Sequence, residues 1–401
     1  MNSENDMPLT TGPLDGLKVI DFTSVIAGSY AAATLGDLGA DVIKFESLLG
    51  DLARYWGPFY AGEGRGFQTW NRNKRGISVD LRTDAGLEIA YALVRNADIV
   101  IENYRNGVTE RLKVDYESIQ EINPSIIYCS ISGFGTKGPM SELPAFDTLL
   151  QSMGGSARMQ AQIGNCGKSA CAVPGVAFAD IGASFLGITG ILSALYHREK
   201  TGEGQKLETS LLQGVMAFQP HFFFEALDVE PEAVGGLCPY SFFDTKDDVI
   251  FIAAVTNNFF HLLCTGLGES DLANESKYKT NTDRMENKDE LTEKLNSILC
   301  TKYTDEWVDI LVNKGVPCAP ALTHQEFWDH PQVDAMNMKV AAHHSKIGTV
   351  NMSGIPVNLD KTPGGIRYAS PCLGEHTDEI LREIGYDDSQ IGSLRGEGVV
   401  K

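Results

Sequence analysis

Positive charge is scarce in this 401-residue chain: 33 Lys and Arg stand against 53 Asp and Glu, a formal net charge of −20 at pH 7. That balance excludes a general nucleic-acid surface, which needs a basic face. An anionic ligand would have to be held by a few local cations against a repulsive background. No apolar run is both long enough and free enough of charge to predict a bilayer span. The first residues, Met1–Thr11, are polar and acidic, unlike a signal or transit peptide. Together these features predict a cytoplasmic protein with no membrane partner. None of the eight cysteines forms a C-x-x-C pair, so they read as free thiols and not as a disulfide frame. The eight histidines show no H-x-x-x-H or H-E-x-x-H spacing. His343 and His344 are adjacent and would face opposite ways on a strand. No metal site is expected. Internal repeats and low-complexity linkers are also absent.

What is present alternates. Leu17–Phe22 reads as a strand, Ala27–Leu38 as a closely packed helix of small residues, and Ala40–Phe45 as a second strand. The short gaps suit a right-handed βαβ unit. Asp84–Asn96 and Tyr116–Ile122 continue as helices, Ala97–Asn103 and Ser125–Gly135 as strands. The rhythm predicts an α/β fold with a Rossmann-like, doubly wound parallel sheet. No G-x-G-x-x-G follows the first strand, which argues against ordinary dinucleotide binding. Helices are also expected at Phe146–Met153 and Asp180–Arg198. Between His221 and Pro239 the rhythm breaks, which marks a crossing to a second domain. Ser241–Val255 then reads as a hairpin, with helices at Asn258–Leu267, Lys288–Leu299 and Thr304–Lys314.

The stretch Val173–Leu195 is apolar and rich in small residues, and Asp180 is its single carboxylate. An Asp before a helix is ordinarily a cap that accepts backbone N–H bonds. Two details point further. The residues after it, Ile181-Gly182-Ala183-Ser184, are small enough to let a ligand lie against the backbone. The residues before it offer nothing polar. A carboxylate at a helix start beside a cleft can act as cap and as nucleophile.

The segments PLDGLKVIDFT, GDLGADVIKFE, NRNKRGISVDL, ADIVIENYRNG, NPSIIYCSISGFGTKGP, HREKTGEGQKLETSLL, GVPCAPA and LGEHTDEILREIGY occur in this order from Pro13 to Tyr386. As a set they resemble the class III coenzyme A transferases, the family of formyl-CoA and carnitine CoA-transferases. The resemblance implies that Asp180 is the catalytic aspartate and forms an aspartyl-CoA thioester between two acyl transfers. It implies coenzyme A and acyl-CoA as substrates, with no permanently bound cofactor, no metal and no ATP.

The loop NRNKRG holds Arg72, Lys74 and Arg75, and ENYRNG supplies Asn103, Tyr104 and Arg105 at the end of a strand, followed by Arg111. A short charge run is by itself a solvated loop; the resemblance places both segments at the CoA phosphates and adenine. It also brings Val25, Ile26 and Ala27 to the CoA arm and acyl group. Ser24 and Ser29 depart there from the family's usual basic residue and proline. Asp147 reads as a helix cap, and the resemblance adds a supporting electrostatic role. The Gly235-Gly236 pair is a turn, or what remains of a glycine-rich loop closing over the site. The aromatic runs Phe222-Phe223-Phe224, Phe242-Phe243 and Phe259-Phe260, assigned to the second domain, read as core, with an acyl pocket as the alternative.

The resulting expectation is a large Rossmann-like domain built from residues 1–224 and 331–401, with a smaller α+β domain at 225–330. The resemblance implies an interlocked homodimer. Its function would be CoA transfer from an acyl-CoA donor, succinyl-CoA being one candidate, to a carboxylic acid. Two alternatives remain. One is an acyl-CoA racemase or isomerase, which would need a histidine where Phe146 stands. The other is a CoA-binding subunit of a hetero-oligomeric transferase.

Overall fold

The computed structural model describes residues 12–163, 175–229 and 236–401. Two compact units emerge: one comprises residues up to Phe224 together with Ala335–Lys401, the other Glu225–Asp334.

The first unit is organised by one sheet. Its strands are β1 (Lys18–Asp21), β2 (Asp41–Glu46), β3 (Lys74–Ser78), β4 (Ile99–Glu102), β5 (Ile127–Ser132) and β6 (Gln205–Ser210). They lie in the order β3-β2-β1-β4-β5-β6 with every pairing parallel. Runs such as Val19-Ile20 and Ile99-Val100-Ile101 are apolar at successive positions because both faces of the sheet are covered. Alternate residues serve alternate faces. Val19, Val42, Ile99, Ile127 and Ile131 pack under α1 (Ala27–Asp37), α5 (Phe178–Thr201) and α6 (Leu211–Ala217). Ile20, Ile43, Val100 and Tyr128 belong to the opposite core, with α2 (Asp84–Val94), α3 (Tyr116–Ile122), α10 (Thr377–Glu383) and α11 (Asp388–Gly396). The chain end also returns to the sheet edge, where the Lys401 N–H donates to the Ser78 carbonyl.

One strand of this sheet falls where a loop was expected. Lys74–Ser78 pairs with β2 in register Val42↔Lys74 to Glu46↔Ser78. The charged start of the segment hides a strand whose later residues, Ile77 and Ser78, are fully buried.

Helix α5 is 24 residues long and, among the described residues, is long and apolar enough by length and composition to cross a membrane. The sequence expectation had placed no such run in the chain. Here the helix packs on α1, α6 and the sheet through Ala179, Ala183, Ile188 and Ile191, all in the same core. Its small residues serve close helix contact, not space for a ligand. A Cβ on Gly182 would lie 2.9 Å from the Gly214 carbonyl oxygen, and one on Gly214 would lie 2.6 Å from the Ala183 nitrogen. The Ser184 hydroxyl donates to the Ala27 carbonyl at 2.6 Å and ties α5 to the start of α1.

The second unit has a three-stranded antiparallel sheet of β7 (Tyr240–Asp244), β8 (Val249–Ala253) and β9 (Cys318–Pro320), with β8 central. Helices α7 (Asn257–Leu267), α8 (Lys288–Leu299) and α9 (Thr304–Asn313) cover it. Phe243 and Phe260 are buried in this core, whereas Phe242 is exposed; Phe222, Phe223 and Phe224, expected in the same core, are exposed and belong to the first unit. The thiols of Cys129, Cys238, Cys264, Cys300, Cys318 and Cys372 are free. Cys166 and Cys171 lie outside the described residues.

Gly214→Ala tests the α5–α6 contact. The added methyl meets backbone that cannot rotate away, so it costs about 1–3 kcal/mol of stability, read as a lowered urea midpoint with an unchanged slope.

Candidate active site

The strand order reverses between β1 and β4, so the segments leaving these strands diverge and open a crevice at their carboxyl ends. A cleft of about 220 Å³ lies there. Ser24, Val25 and Ile26 line it after β1, and Asn103, Tyr104 and Arg105 after β4. Phe146, Asp147 and Asp180 complete the wall.

The floor of the cleft is pinned. The Asn103 side chain accepts the Ser24 N–H and donates to the Ser24 carbonyl, each at 2.8 Å. Asp51 accepts the Val25 N–H at 3.1 Å and the Ser24 hydroxyl at 3.0 Å. These bonds hold Val25 at φ +69, a left-handed conformation that a β-branched residue adopts only when its surroundings dictate it. Below the loop, Lys44 pairs with Asp51 at 3.2 Å, and both side chains are sealed from solvent. Burial opposes the charge of Asp51, but Lys44 together with the hydrogen bonds from Ala53, Val25 and Ser24 outweighs it and holds the carboxyl below its usual range.

Asp180 sits in the first turn of α5, whose N-cap is Ala177. It is therefore not the cap of its own helix. That role falls to Asp147, at the start of α4 (Asp147–Met153). Asp147 Oδ1 accepts the Ala179 N–H at 2.7 Å and the Asp180 N–H at 3.2 Å. The reading of Asp147 as a cap thus holds for a different helix. Asp180 itself is 8% exposed. Burial, and then the charge of Asp147, push its carboxyl up to about 7. The cleft therefore presents a poorly solvated carboxyl group that ionises near neutrality.

Residues 14–377 match CoA-transferase family III. The chain is 34% identical over 398 residues to the human succinyl-CoA:glutarate CoA-transferase, across 97% of this chain and 90% of that protein. It is 35% identical over 355 residues to the acetyl-CoA:oxalate CoA-transferase of Acetobacter aceti, across 87% of this chain and 89% of that one. A CAIB/BAIF family protein from Brucella suis has the same fold, with a TM-score of 0.82 at 34% identity, over 93% of this chain and all of that one. The chain belongs to CoA-transferase family III.

As a CoA-transferase the protein uses CoA thioesters as substrates, and the structure sorts the cations expected to meet them. Arg105 lines the cleft and is exposed. Arg72, Lys74 and Arg75 do not reach it, because each is engaged with protein carboxylates. Lys74 Nζ donates to Asp21 at 2.7 Å and to the Ser29 carbonyl and Asn71 side chain at 2.8 Å, which uses all three of its protons. Arg72 is paired with Asp37 at 2.7 Å, and both are buried. Arg75 holds Asp41, Glu379 and Glu383. Being on or beside strand β3 turns these side chains into the body of the unit. Arg111 is exposed near the end of the short helix Val108–Leu112 and is not part of the cleft wall. Ala27 is buried, and its carbonyl receives Ser184. Gly235 lies outside the described residues. Gly236 belongs to the second unit, where its carbonyl accepts from the Asn281 amide at 2.7 Å.

Sequence reasoning passed over Asp51 and Gln151. Asp51 caps the turn Leu52–Tyr55, accepting the Ala53 N–H at 2.9 Å, and that Asp-x-x-x capping pattern was the available signal. Gln151 stands one helical turn after Asp147, the i, i+4 spacing at which helix side chains meet.

Among the described residues, Glu63, His344 and Cys372 bring possible ligand atoms within 4.8 Å of one another. His344 Nδ1 accepts the Lys346 and Ile347 N–H groups at 3.0 and 3.2 Å. That leaves the proton of the neutral ring on Nε2. A metal-bound histidine does the reverse, donating from the nitrogen the metal leaves free. Glu63 is also occupied by Lys346 and Arg54.

Two predictions follow from the charges. Lys74→Met leaves Asp21 buried without this partner and costs about 3–5 kcal/mol of stability, while the KM for acyl-CoA of the folded fraction stays unchanged; denaturation and steady-state kinetics read the two separately. For Asp180, the folded carboxyl titrates near 7 and the unfolded one near 3.8. Between those values the folded state keeps a proton that the unfolded state has lost, so stability falls as pH rises. Asp180→Asn removes that dependence. Its stability relative to wild type should be unchanged near pH 4 and greater at pH 8 by up to about 4 kcal/mol, at about 1.4 kcal/mol per pH unit, measured from urea midpoints at the two pH values.

Proposed function

We propose that this enzyme moves coenzyme A from an acyl-CoA donor to a carboxylic acid through a thioester formed on Asp180. The observation that carries the reading is the placement of the Asp180 carboxyl in the cleft, desolvated and ionising near neutrality. Water stabilises such an anion poorly, which favours its attack on a carbonyl. An Asp180 oxygen attacks the thioester carbonyl of the donor, and the tetrahedral adduct expels CoA thiolate to give a mixed anhydride. The thiolate then attacks the Asp180 carbonyl and expels the donor acid as its carboxylate. The acceptor carboxylate attacks the aspartyl-CoA thioester, giving a second anhydride and free thiolate. Attack of that thiolate on the acceptor carbonyl releases the new acyl-CoA and restores Asp180. One thioester is exchanged for another, so the sequence of steps needs no ATP.

Short dicarboxylic acids are the proposed acids. Relatives named for glutarate and oxalate support this, as does Arg105 at the cleft, whose guanidinium can pair with a second carboxylate. The cleft is smaller than the roughly 300–1,000 Å³ typical of ligand pockets, which suits the reacting acyl end and not a whole CoA. Phe146 stands in the cleft wall and carries no group able to move a proton, which speaks against racemisation. We extend the proposal to a homodimer, interlocked as the resemblance implies. Leu49, Tyr55 and Phe59 are 77%, 62% and 58% exposed within one short segment, and such a concentration of apolar surface suits a covered face.

Asp180→Ala should lower transfer from succinyl-CoA to glutarate by at least about 10³-fold, as expected when a covalent nucleophile is lost, while CoA still binds. With wild type and succinyl-CoA, mass spectrometry after hydroxylamine treatment should find a hydroxamate on Asp180. Normal turnover by the folded variant would end the proposal.

A further inference from the structure

Gln151 lies on α4 and is completely buried. Its Nε2 donates to Asp147 Oδ2 at 2.6 Å and to the Val176 carbonyl at 2.8 Å. The Val176 carbonyl can only accept, so the amide nitrogen must occupy this end of the side chain. The amide oxygen is then left buried with no partner among the described residues. An orphaned buried acceptor destabilises the fold. Leucine would fill a similar volume without it, so packing does not explain the amide. Its two donations do.

Those donations act at one place. Val176 immediately precedes Ala177, the N-cap of α5. Asp147 reaches the same helix start from the other side, with Oδ1 on the Ala179 and Asp180 N–H groups. We propose that Gln151 is a positioning residue for Asp180: by holding Asp147 Oδ2 and the Val176 carbonyl together, it fixes the Asp147 carboxylate as the cap of the helix that bears the nucleophile. This rests on the reading of Asp180 as nucleophile given above. Without the amide, the Asp147 carboxylate is free to rotate, the α5 cap loosens, and the charge facing Asp180 moves away. Asp147, Tyr104 and Arg105 are the titratable groups that share the cleft with Asp180. The elements packed on α5 also carry Tyr30, Asp37, Tyr128, Cys129, Lys206 and Glu208. Tyr128 faces the opposite core, and burial pushes the Cys129 thiol up so that it stays protonated. Asp37 is held by Arg72, Lys206 pairs with Glu208, and Tyr30 packs edge-on against Trp70.

The test compares Gln151→Leu, Gln151→Glu and Asp147→Asn with wild type. One arm measures kcat and KM against pH with succinyl-CoA and glutarate. A second measures the pH dependence of carbodiimide labelling at Asp180 by peptide mass spectrometry, which reports protonation without turnover. For Gln151→Leu, kcat should fall about 10- to 100-fold from misplacement of the nucleophile, with KM for succinyl-CoA within about 2-fold. The labelling midpoint should drop by roughly half a pH unit or more from its wild-type position near 7. Asp147→Asn should shift it the same way, and combining the two should add little further. Gln151→Glu can donate only while protonated, so its activity relative to wild type should decline as pH rises. That variant decides the question if Gln151→Leu fails to fold. An unmoved labelling midpoint, or a pH-independent loss in Gln151→Glu, would overturn the proposal and leave Gln151 a structural residue. Should wild type transfer CoA to no carboxylic acid, the proposed reaction fails, while the labelling arm still decides whether Gln151 positions Asp180.

Discussion

A carboxyl group kept from water at the carboxyl ends of a parallel sheet is the constraint around which this protein is arranged. Asp180 sits in the first turn of a long apolar helix, and the cap of that helix is supplied by another carboxylate, Asp147. Two acidic groups are thereby held close together. Neither burial nor proximity favours ionisation of Asp180, and both push its titration toward neutrality. A carboxyl group solvated by water would ionise at a lower pH. The fold maintains the desolvated one through the tight α5–α6 crossing at Gly182 and Gly214 and the bond from Ser184 to Ala27.

The opposite wall of the cleft depends on a different kind of interaction. Asp21, Lys44, Asp51 and Lys74 form a buried charge network beneath the loop Ser24–Ile26. Burial raises the carboxyl of Asp21, but Lys44 and Lys74 outweigh it and hold it below its usual range. Buried ion pairs add little net stability over apolar packing, yet removing one partner is costly. What this network does for the site is positional. Its Lys44 fixes Asp51, and Asp51 with Asn103 fixes the strained backbone at Val25. Both lysines in this network are spent on architecture, which leaves Arg105, among the described residues, as the cation that lines the cleft.

Much of this could be read from residue order. The alternation of apolar strands with helices was legible, and the single carboxylate Asp180 and the run Asn103-Tyr104-Arg105 after a strand line one cleft. Other readings failed for physical reasons. Arg72, Lys74 and Arg75 read as a solvated cationic loop, because charge in sequence gives no hint of carboxylate partners 34 or more residues away. The capping roles were misassigned because a cap is recognised along one helix, whereas Asp147 caps a helix 32 residues further on. The small residues after Asp180 suggested room for a ligand; they are occupied by a second helix.

By itself, then, the sequence determined the alternating architecture, the family and the one carboxylate set among apolar neighbours, since periodicity, motif order and composition are properties of the chain in one dimension. Only the tertiary structure decided which cations remain available, which carboxylate caps which helix and where Gln151 points. Those outcomes depend on contacts between residues far apart in the chain, and on how much water the packed fold leaves around each charge.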